Sequence, residues 1–207
     1  MIAPRSEEHA KLREGKLTGS RFHVVMNGGP QAWNTLMEEL RNPQPFHTES
    51  TVPALAWGIK NEPRAVAEYE LRHFVDVEKP AFIEHPRFDF IGISPDGIVL
   101  PRGGVEVKCP WNPEIHLQTF LYKRVPDEYV PQVQGLIWVA DLEWVDFISY
   151  DPRQVQDRQY FETRVLRDDA YIDRLQSRCL EFWELYRMGE KASVVVNRDM
   201  LSRLNFN

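Results

Sequence analysis

The chain has 207 residues, of which 43% are hydrophobic and 27% are charged, as in an ordinary globular protein. It contains no run of about 18 apolar residues, which excludes a membrane-spanning helix, and its first residues lack the apolar core of a signal peptide. The net charge of −6 argues against a broadly basic surface, so any nucleic-acid contact needs a local basic patch supplemented by metal ions. We expect a single cytoplasmic domain over residues 1–207, with a core at about 7–190 and a tail at 191–207.

The N-terminal region combines a short helix with a group of basic residues. Ser6 is a candidate N-cap for this helix. Lysines and arginines recur through the first 21 residues and, with the hydroxyl of Ser20, form a candidate phosphate-binding patch. The basic residues are Arg5, Lys11, Arg13, Lys16 and Arg21. A solvated helix face explains the same pattern equally well. A second helix is predicted at 31–40, where the prolines at 43 and 45 end it.

A long amphipathic helix is predicted at 53–74. Its apolar stripe consists of Leu55, Ile59, Val66 and Tyr69. Glu62 falls on that stripe, where an unpaired carboxylate would be costly to bury. It is therefore either half of an internal salt bridge or a third carboxylate that faces a metal ion. Pro63 is expected to kink or loosen the helix next to it.

Two strands at 81–84 and 88–93 are predicted to lead into a hairpin at 94–110 and to complete a meander of three or four strands. Ser94-Pro95-Asp96-Gly97 has the residues of a tight turn. In the return strand, Glu106 and Lys108 point to the face opposite Val105 and Val107, about 7 Å apart at ~3.3 Å per residue. The return brings Asp96 alongside Glu106.

Two carboxylates and an amine thus share one surface of the hairpin. Carboxylate oxygens are the ligands that Mg²⁺ and Mn²⁺ prefer, and a neighbouring ammonium suits metal-dependent phosphodiester cleavage. Taken singly, the turn is common and a Glu-x-Lys pair is usually a surface ion pair. The combination favours a nuclease centre.

The C-terminal half continues with helices at 113–122 and 127–140, strands at 143–150 and 160–166, and an amphipathic helix at 169–188. Gln132 lies near the inward face of its helix, where its amide can hydrogen-bond a water or a phosphate oxygen. The apolar stripe of the last helix is read as core or as a subunit contact, and it consists of Ile172, Leu175, Cys179, Phe182 and Tyr186. Cys109 and Cys179 are expected to be reduced core residues, since the sequence has no zinc or iron–sulfur ligand set.

Six motifs follow one another along the chain. They are K-L-R-x-G-x-x-T-x-S at 11–20, A-L-A-W-G-x-x-x-E at 54–62, S-P-D-G at 94–97, V-E-V-K-C-P at 105–110, Q-V-Q at 132–134 with W-V at 138–139, and Y-D-P-R at 150–153. In this order and spacing the chain resembles the phage lambda exonuclease family, also called YqaJ-like viral recombinases, over roughly residues 7–190.

The resemblance implies an α/β (α+β) fold of the PD-(D/E)xK nuclease type, with a central mixed sheet flanked by helices. It implies a Mg²⁺-dependent exonuclease that digests linear double-stranded DNA from the 5′ end, releases mononucleotides and leaves 3′ single strands for recombination by strand annealing. A homotrimeric ring around DNA ends and a single-strand annealing protein as partner are implied as well. Such a protein is encoded by a phage or prophage, acts in the bacterial cytoplasm and has no membrane partner.

The resemblance also assigns roles to individual residues. The metal-binding acids fall on Asp96 and Glu106, the active-site lysine on Lys108, the helix-borne acid on Glu62 and the active-site glutamine on Gln132. Two Mg²⁺ ions, or Mn²⁺ in their place, are expected on Asp96, Glu106, the Val107 carbonyl and Glu62. Lys108 would orient or deprotonate the attacking water, and the second role requires a lowered pKa.

The resemblance places the 5′-phosphate on Arg13 and Ser20, and the wedge between the terminal bases on Leu55. The chain departs from lambda exonuclease at Pro86, where a further acid is expected, and near Pro30 and Pro53, where basic residues are expected. Two alternatives remain open from the sequence: a restriction-type or junction-resolving endonuclease with the same core, and a non-catalytic DNA-end-binding protein whose acids form a structural network.

Overall fold

The computed structural model describes residues 6–43, 52–189 and 192. Arg5 and the predicted tail, apart from Ala192, lie outside the described residues. The helices are α1 (Glu7–Arg13), α2 (Phe22–Asn27), α3 (Pro30–Arg41), α4 (Pro53–His73), α5 (Pro113–Tyr122), α6 (Val130–Val139) and α7 (Asp169–Met188). The strands are β1 (Leu17–Thr18), β2 (Ile83–Glu84), β3 (Ile91–Ile93), β4 (Gly97–Val99), β5 (Gly103–Lys108), β6 (Trp144–Tyr150) and β7 (Tyr160–Leu166).

The strands form two mixed sheets flanked by helices, which confirms the predicted fold class. The larger sheet has the order β4-β5-β6-β7 and the smaller has the order β1-β3-β2. In the larger sheet, β5 and β6 run parallel while both outer pairs are antiparallel. The predicted hairpin is the β4–β5 pair, with Gly97 opposite Val105.

The predicted meander is wrong. β2 and β3 pair with each other, but they belong to the smaller sheet rather than to the sheet of the hairpin. The second edge of β3 is occupied by β1, where Leu17 lies opposite Ile91, and Ile98 of β4 bridges Glu78 instead. Both edges of β3 are therefore filled, one by β1 and the other by β2. The chain leaves the smaller sheet after Ile93 and enters the larger sheet at Gly97.

Apolar clusters lie on both faces of the larger sheet and fix the directions of the side chains of β5. Val105 and Val107 pack with α4, where Val66 and Tyr69 are buried. The opposite cluster contains Phe147 of β6 together with residues of α2, α3, α6 and α7. This alternation leaves Glu106 and Lys108 on the α6 side, as the strand period requires.

Helix α4 is continuous through Pro63. Its buried residues begin at Asn61, so the predicted stripe is wrong at its N-terminal end, where Leu55 is 53% exposed and Ile59 is half-buried. The first turns of α4 extend beyond the apolar core. Leu55 is therefore a surface residue.

Helix α2 and strand β1 were not predicted, because six residues and two residues carry little periodicity. Phe22 of α2 is fully buried against α6, where a Cβ on Gly135 would lie 2.2 Å from the Phe22 ring. Glycine at position 135 thus permits the close approach of these helices.

The stripe of α7 lies in the core, as predicted, with Ile172, Leu175, Cys179 and Phe182 buried and Tyr186 half-buried against it. Both Cys109 and Cys179 are free thiols. Among the described residues, no helix is long and apolar enough to cross a membrane.

Candidate active site

The β4–β5 hairpin places Asp96 beside the middle of β5. Asp96 comes immediately before Gly97, whose missing side chain leaves room for Val77: a Cβ there would lie 2.1 Å from a Val77 methyl. The backbone N–H of Val107 donates a hydrogen bond of 2.8 Å to Asp96 Oδ2. The structure thereby confirms the predicted pairing of the turn aspartate with the Glu106 strand.

Lys108, Glu106 and Gln132 form a closed triangle of hydrogen bonds between β5 and α6. Lys108 Nζ donates to Glu106 Oε1 at 2.7 Å and to Gln132 Oε1 at 2.9 Å. Gln132 Nε2 donates to the same Glu106 oxygen at 2.6 Å. Glu106 is only 2% exposed, so its charge is held by these two donors rather than by water.

Asp96 is buried and lies close enough to two other acids, Glu106 and Glu62, for their charges to act on it. Burial raises the pKa of the Asp96 carboxyl well above its usual range, and the charges of Glu106 and Glu62 raise it further, against the opposing effect of Lys108. Glu62 belongs to α4 and Glu106 to the α6 side of the sheet, so Asp96 is influenced by acids from both layers. Like charges held together away from water are typical of a functional site.

Lys108 is cationic in this environment. Burial lowers the pKa of the Lys108 ammonium, but the charges of Glu106 and Asp96 and the hydrogen bond to Glu106 outweigh burial, so the net shift is upward. A lysine base requires a lowered pKa, which a nearby Mg²⁺ would favour; without bound metal the pKa of Lys108 is shifted in the other direction. Lys108 is also 5.1 Å from the centre of the Tyr129 ring, which favours the charged form.

The donor chemistry of the site fits a hard divalent cation. Asp96, Glu106, Glu62 and the Val107 carbonyl offer oxygen atoms of the kind such a cation prefers, and a dication would offset the charges of Glu106 and Glu62 that act on Asp96. The geometry is not preformed: in the described part of the chain, no group of three or more His, Cys, Asp and Glu side chains is arranged to hold a metal ion. Glu106 Oε1 is engaged by Lys108 and Gln132, so binding an ion there requires exchange of those bonds.

A small cavity of about 70 Å³ joins this triangle to the N-terminal region. Its polar lining is contributed by Arg13, Ser20, Ser94, Glu106 and Gln132. Arg13 Nη1 donates a 2.7 Å hydrogen bond to Ser94 Oγ. The structure thus brings the two predicted phosphate residues, Arg13 and Ser20, to the same cavity as Glu106 and Gln132, while Leu55 lies on the exposed first turn of α4.

The match to known proteins agrees with this geometry. Residues 8–143 match the YqaJ-like viral recombinase domain. The chain belongs to the YqaJ-like viral recombinase family. Among solved structures, it is similar to the alkaline exonuclease LHK-Exo of Laribacter hongkongensis, with a TM-score of 0.82 and 34% sequence identity over 89% of this chain and 94% of that one.

The chain is similar to other proteins as well. LHK-Exo in complex with dAMP matches this YqaJ-like chain with a TM-score of 0.82 and 33% identity, covering 89% of this chain and 94% of that one. A phage-related exonuclease from Haemophilus somnus shares the fold, with a TM-score of 0.63 and 16% identity over 83% of this chain and 93% of that one. An uncharacterized protein of Acanthamoeba polyphaga mimivirus is 28% identical over 70% of this chain, and the match spans 28% of that protein's length.

Two residues whose roles sequence reasoning missed, His9 and Ser94, connect Arg13 to the hairpin of this YqaJ-like chain. Ser94 accepts the bond from Arg13, and His9 Nε2 lies 2.8 Å from the same Ser94 Oγ. His9 is 7% exposed and belongs to α1, which Ser6 caps by accepting a bond from the His9 N–H. The spacing of His9 and Arg13, one turn apart on α1, was the available signal, but their shared partner lies far along the chain.

The N-terminal basic residues do not form a purely basic patch. Lys11, Lys16 and Arg21 line a groove of about 860 Å³ together with Arg13. Each of the three is paired with a carboxylate, namely Lys11 with Glu7 at 2.9 Å, Lys16 with Glu84 at 3.2 Å and Arg21 with Glu39 at 2.7 Å. The local charge is mixed, and Arg13 is the member that reaches the cavity of Glu106.

Cys109 follows Lys108 and is not a nucleophile. Burial raises the pKa of the Cys109 thiol to about 12, with smaller contributions from the charges of Glu62 and Asp96. The thiol therefore stays protonated at neutral pH. This agrees with the predicted role of Cys109 as a reduced residue of the core.

Proposed function

We propose that this protein is a divalent-metal-dependent exonuclease that digests linear double-stranded DNA from the 5′ end, releasing mononucleotides and leaving 3′ single strands. Membership of the YqaJ-like family and the similarity to an alkaline exonuclease support the nuclease activity. The observation that carries the proposal is the Lys108–Glu106–Gln132 triangle beside Asp96, because it shares a cavity with the phosphate-binding candidates Arg13 and Ser20.

Asp96, Glu106, Glu62 and the Val107 carbonyl are the proposed metal ligands. They would hold Mg²⁺, or Mn²⁺ in its place, and the chemistry supplied there would be Lewis acidity for activating a water and stabilising the leaving oxygen. The protein contributes the fixed positions of the two carboxylates through the β4–β5 pairing and the hydrogen bond from Val107.

Lys108 is proposed to act as a cation. Its ammonium points from β5 into the site and is held by Glu106 and Gln132, so it can orient the attacking water and offset the charge that develops on the phosphate. Gln132, whose amide now donates to Glu106, is proposed to hydrogen-bond a water or a phosphate oxygen in the working site.

Arg13 is proposed to hold the terminal 5′-phosphate. Its guanidinium already donates to Ser94 at 2.7 Å, and a phosphate entering the cavity offers stronger, charge-assisted acceptors. Ser20 lines the same cavity and adds a hydroxyl. Leu55, exposed at the start of α4, is the proposed wedge between terminal bases.

Strand polarity and products are tested with linear duplexes labelled at one 5′ end or at one 3′ end. The expected result in Mg²⁺ is early release of the 5′ label as a mononucleotide, while the 3′ label stays in long fragments that shorten only late. Early release of the 3′ label would overturn the proposed polarity. Labelled internal fragments of fixed length would indicate an endonuclease.

The proposed assembly is a homotrimer that encircles DNA ends and works with a single-strand annealing protein. This follows from the family resemblance. Light scattering on the purified protein at micromolar concentration should give three times the mass of the 24.3 kDa chain. A mass of one chain, both free and on DNA, would contradict the trimer while leaving the nuclease site unaffected.

A further inference from the structure

Trp111 is an exposed tryptophan close to the candidate active site. Its side chain is 51% exposed, and it follows Lys108 by three residues, so their Cα atoms are no more than about 10 Å apart. A single exposed apolar residue is ordinary on a protein surface. Trp111 differs because its backbone and its ring are both fixed.

Arg153 fixes the backbone of Trp111. Its Nη1 donates to the Trp111 carbonyl at 3.0 Å and its Nη2 to the Pro110 carbonyl at 3.1 Å. Arg153 is itself held by Asp151, which is fully buried and accepts from Nε at 2.7 Å and from Nη2 at 3.0 Å. The segment that carries the exposed ring is therefore rigid.

Trp57 supports the ring of Trp111 from α4. The two indoles meet edge to face, with centroids 5.8 Å apart and planes at 76°. The Arg153 guanidinium lies 4.2 Å from the centre of the Trp57 ring. Trp57 is thus covered by Arg153 and Trp111, whereas about half of the Trp111 side chain still faces solvent.

The two tryptophans lie on or just after the elements that carry the carboxylates of the site, α4 and β5. Trp57 lies five residues before Glu62 on α4, a rise of about 7.5 Å. Lys108, three residues before Trp111, donates to Glu106 Oε1 at 2.7 Å. A nucleic-acid strand at Asp96 would therefore pass within reach of Trp111.

We propose that Trp111, supported by Trp57 and Arg153, stacks against one base of the DNA strand that passes the Asp96–Glu106 site. The inference rests on the proposed function. Stacking is sequence-tolerant, because every base has a π face, and it supplies affinity where phosphate contacts are few. The chain has a net charge of −6, and its N-terminal cations Lys11, Lys16 and Arg21 are paired with carboxylates, so a non-ionic contact of this kind would add to the affinity for DNA.

A second copy of the chain is the competing occupant. A stable protein interface buries about 800 Å² on each partner, far more than one indole face presents. One base, by contrast, covers an indole face completely. The size of the surface and its position three residues after Lys108 therefore favour DNA.

The test is an abasic scan of DNA binding. The background is Lys108→Ala in Mg²⁺, which is expected to bind without cutting. A series of 5′-phosphorylated duplexes carries one abasic site, moved one nucleotide at a time along each strand near the 5′ end. Affinity is measured by fluorescence anisotropy with and without the additional change Trp111→Ala, and oligomeric state by light scattering.

In the Lys108→Ala protein that keeps Trp111, we expect one abasic position to weaken DNA binding about fivefold or more. When Trp111→Ala is added, the same abasic position should cause no further loss of affinity. Trp111→Phe should restore most of the loss, since it keeps an aromatic face. Tyr122→Ala is the matched control: Tyr122 is 70% exposed at the end of α5, and its removal should leave the scan unchanged.

Equal affinity with and without Trp111 at every abasic position would overturn the stacking role. The proposed function would still stand if the wild-type protein bound and digested DNA. A change of oligomeric state in Trp111→Ala, with the abasic profile unaltered, would overturn it in favour of a contact between copies. Wild-type protein that neither binds nor digests duplex DNA would overturn the proposed function, and this inference with it.

Discussion

Two buried carboxylates on neighbouring strands, Glu106 of β5 and Asp146 of β6, have similar burial and different surroundings. Glu106 is 2% exposed and Asp146 is 4% exposed. Asp146 accepts two bonds from Arg164, at 2.9 Å and 2.8 Å, and a third from the Tyr69 hydroxyl at 2.8 Å. The charge of Asp146 is therefore balanced by the Arg164 guanidinium, and the Tyr69 hydroxyl adds a neutral hydrogen-bond donor.

Glu106 stands in a different electrostatic setting. Its partner Lys108 is shared with Gln132, and its charge contributes to raising the pKa of Asp96. Glu106 also borders the cavity of Arg13 and Ser20. Burial alone therefore does not mark a functional acid. Glu106 lies near other carboxylates and beside a cavity, whereas the Asp146 carboxylate is fully paired with Arg164 and Tyr69.

The largest effect is expected from substitutions in the group around Glu106, and it is a loss of DNA digestion. Asp96→Asn, Glu106→Gln or Lys108→Ala should each lower the rate of DNA digestion about a hundredfold to a thousandfold, because each removes a charge that binds metal or offsets charge on phosphate. Rates on linear duplex and circular dichroism spectra measure activity and folding in parallel. Near-full activity in a folded variant would remove that residue from the centre.

The matched change on the Asp146 side should affect stability instead. Arg164→Met leaves the Asp146 carboxylate without two donors and should lower the free energy of unfolding by about 1–3 kcal/mol, discounted because the Arg164 side chain is half exposed. Urea unfolding measures the loss. The rate per folded molecule should equal that of the wild type. A specific loss of activity would mean that the two networks are coupled.

Arg13 should matter only when a 5′-phosphate is present. Arg13→Ala is expected to slow digestion of 5′-phosphorylated duplex roughly tenfold, a loss of about 1.4 kcal/mol, and to leave 5′-hydroxyl duplex nearly unchanged. Ser20→Ala should act more weakly in the same direction. Lys11→Ala is the control, since Lys11 is on the same helix but is paired with Glu7. Equal losses on both substrates would assign Arg13 to folding or to general backbone binding.

The smallest expected effect is a gain in stability from Asp96→Asn. A carboxyl whose pKa is raised on folding binds its proton more tightly when folded, so stability is lost as the pH rises through that pKa. Above the usual pKa of an aspartate, the ionisable carboxyl of Asp96 therefore makes the metal-free protein less stable than a neutral amide at the same place would. Asparagine should add about 0.5–2 kcal/mol to the free energy of unfolding in EDTA, and added Mg²⁺ should stabilise the wild type more than the variant. A loss of stability would contradict the like-charge account.

The elements that sequence predicted best are those with many repeats of one period. The boundaries of α5, α7 and β7 agree with prediction, because each presents a long alternation of apolar and polar residues or a proline start. β1 was missed, since its two residues pair with a strand far along the chain. The meander failed for the same reason: nothing local indicates that β1 occupies the edge of β3.

Within the site, local geometry was predictable and long-range electrostatics were not. The hairpin register placed Asp96 next to Glu106, because both lie within a single turn and strand. The direction in which the pKa of Lys108 shifts depends on how close Glu106 and Asp96 lie to its amine, and the fold determines those distances. The bridge from His9 through Ser94 to Arg13 likewise joins distant segments.

The central claim is that the Asp96–Glu106–Lys108 centre cuts DNA inward from an end. The most direct measurement compares digestion of a linear 5′-phosphorylated duplex with that of the same sequence as a closed circle, each with Mg²⁺ and with EDTA. We predict that linear DNA in Mg²⁺ is converted to mononucleotides and 3′ single strands, that it is not digested in EDTA, and that the circle stays intact in both. Cleavage of the circle would show an endonuclease, and digestion that persists in EDTA would contradict the metal centre.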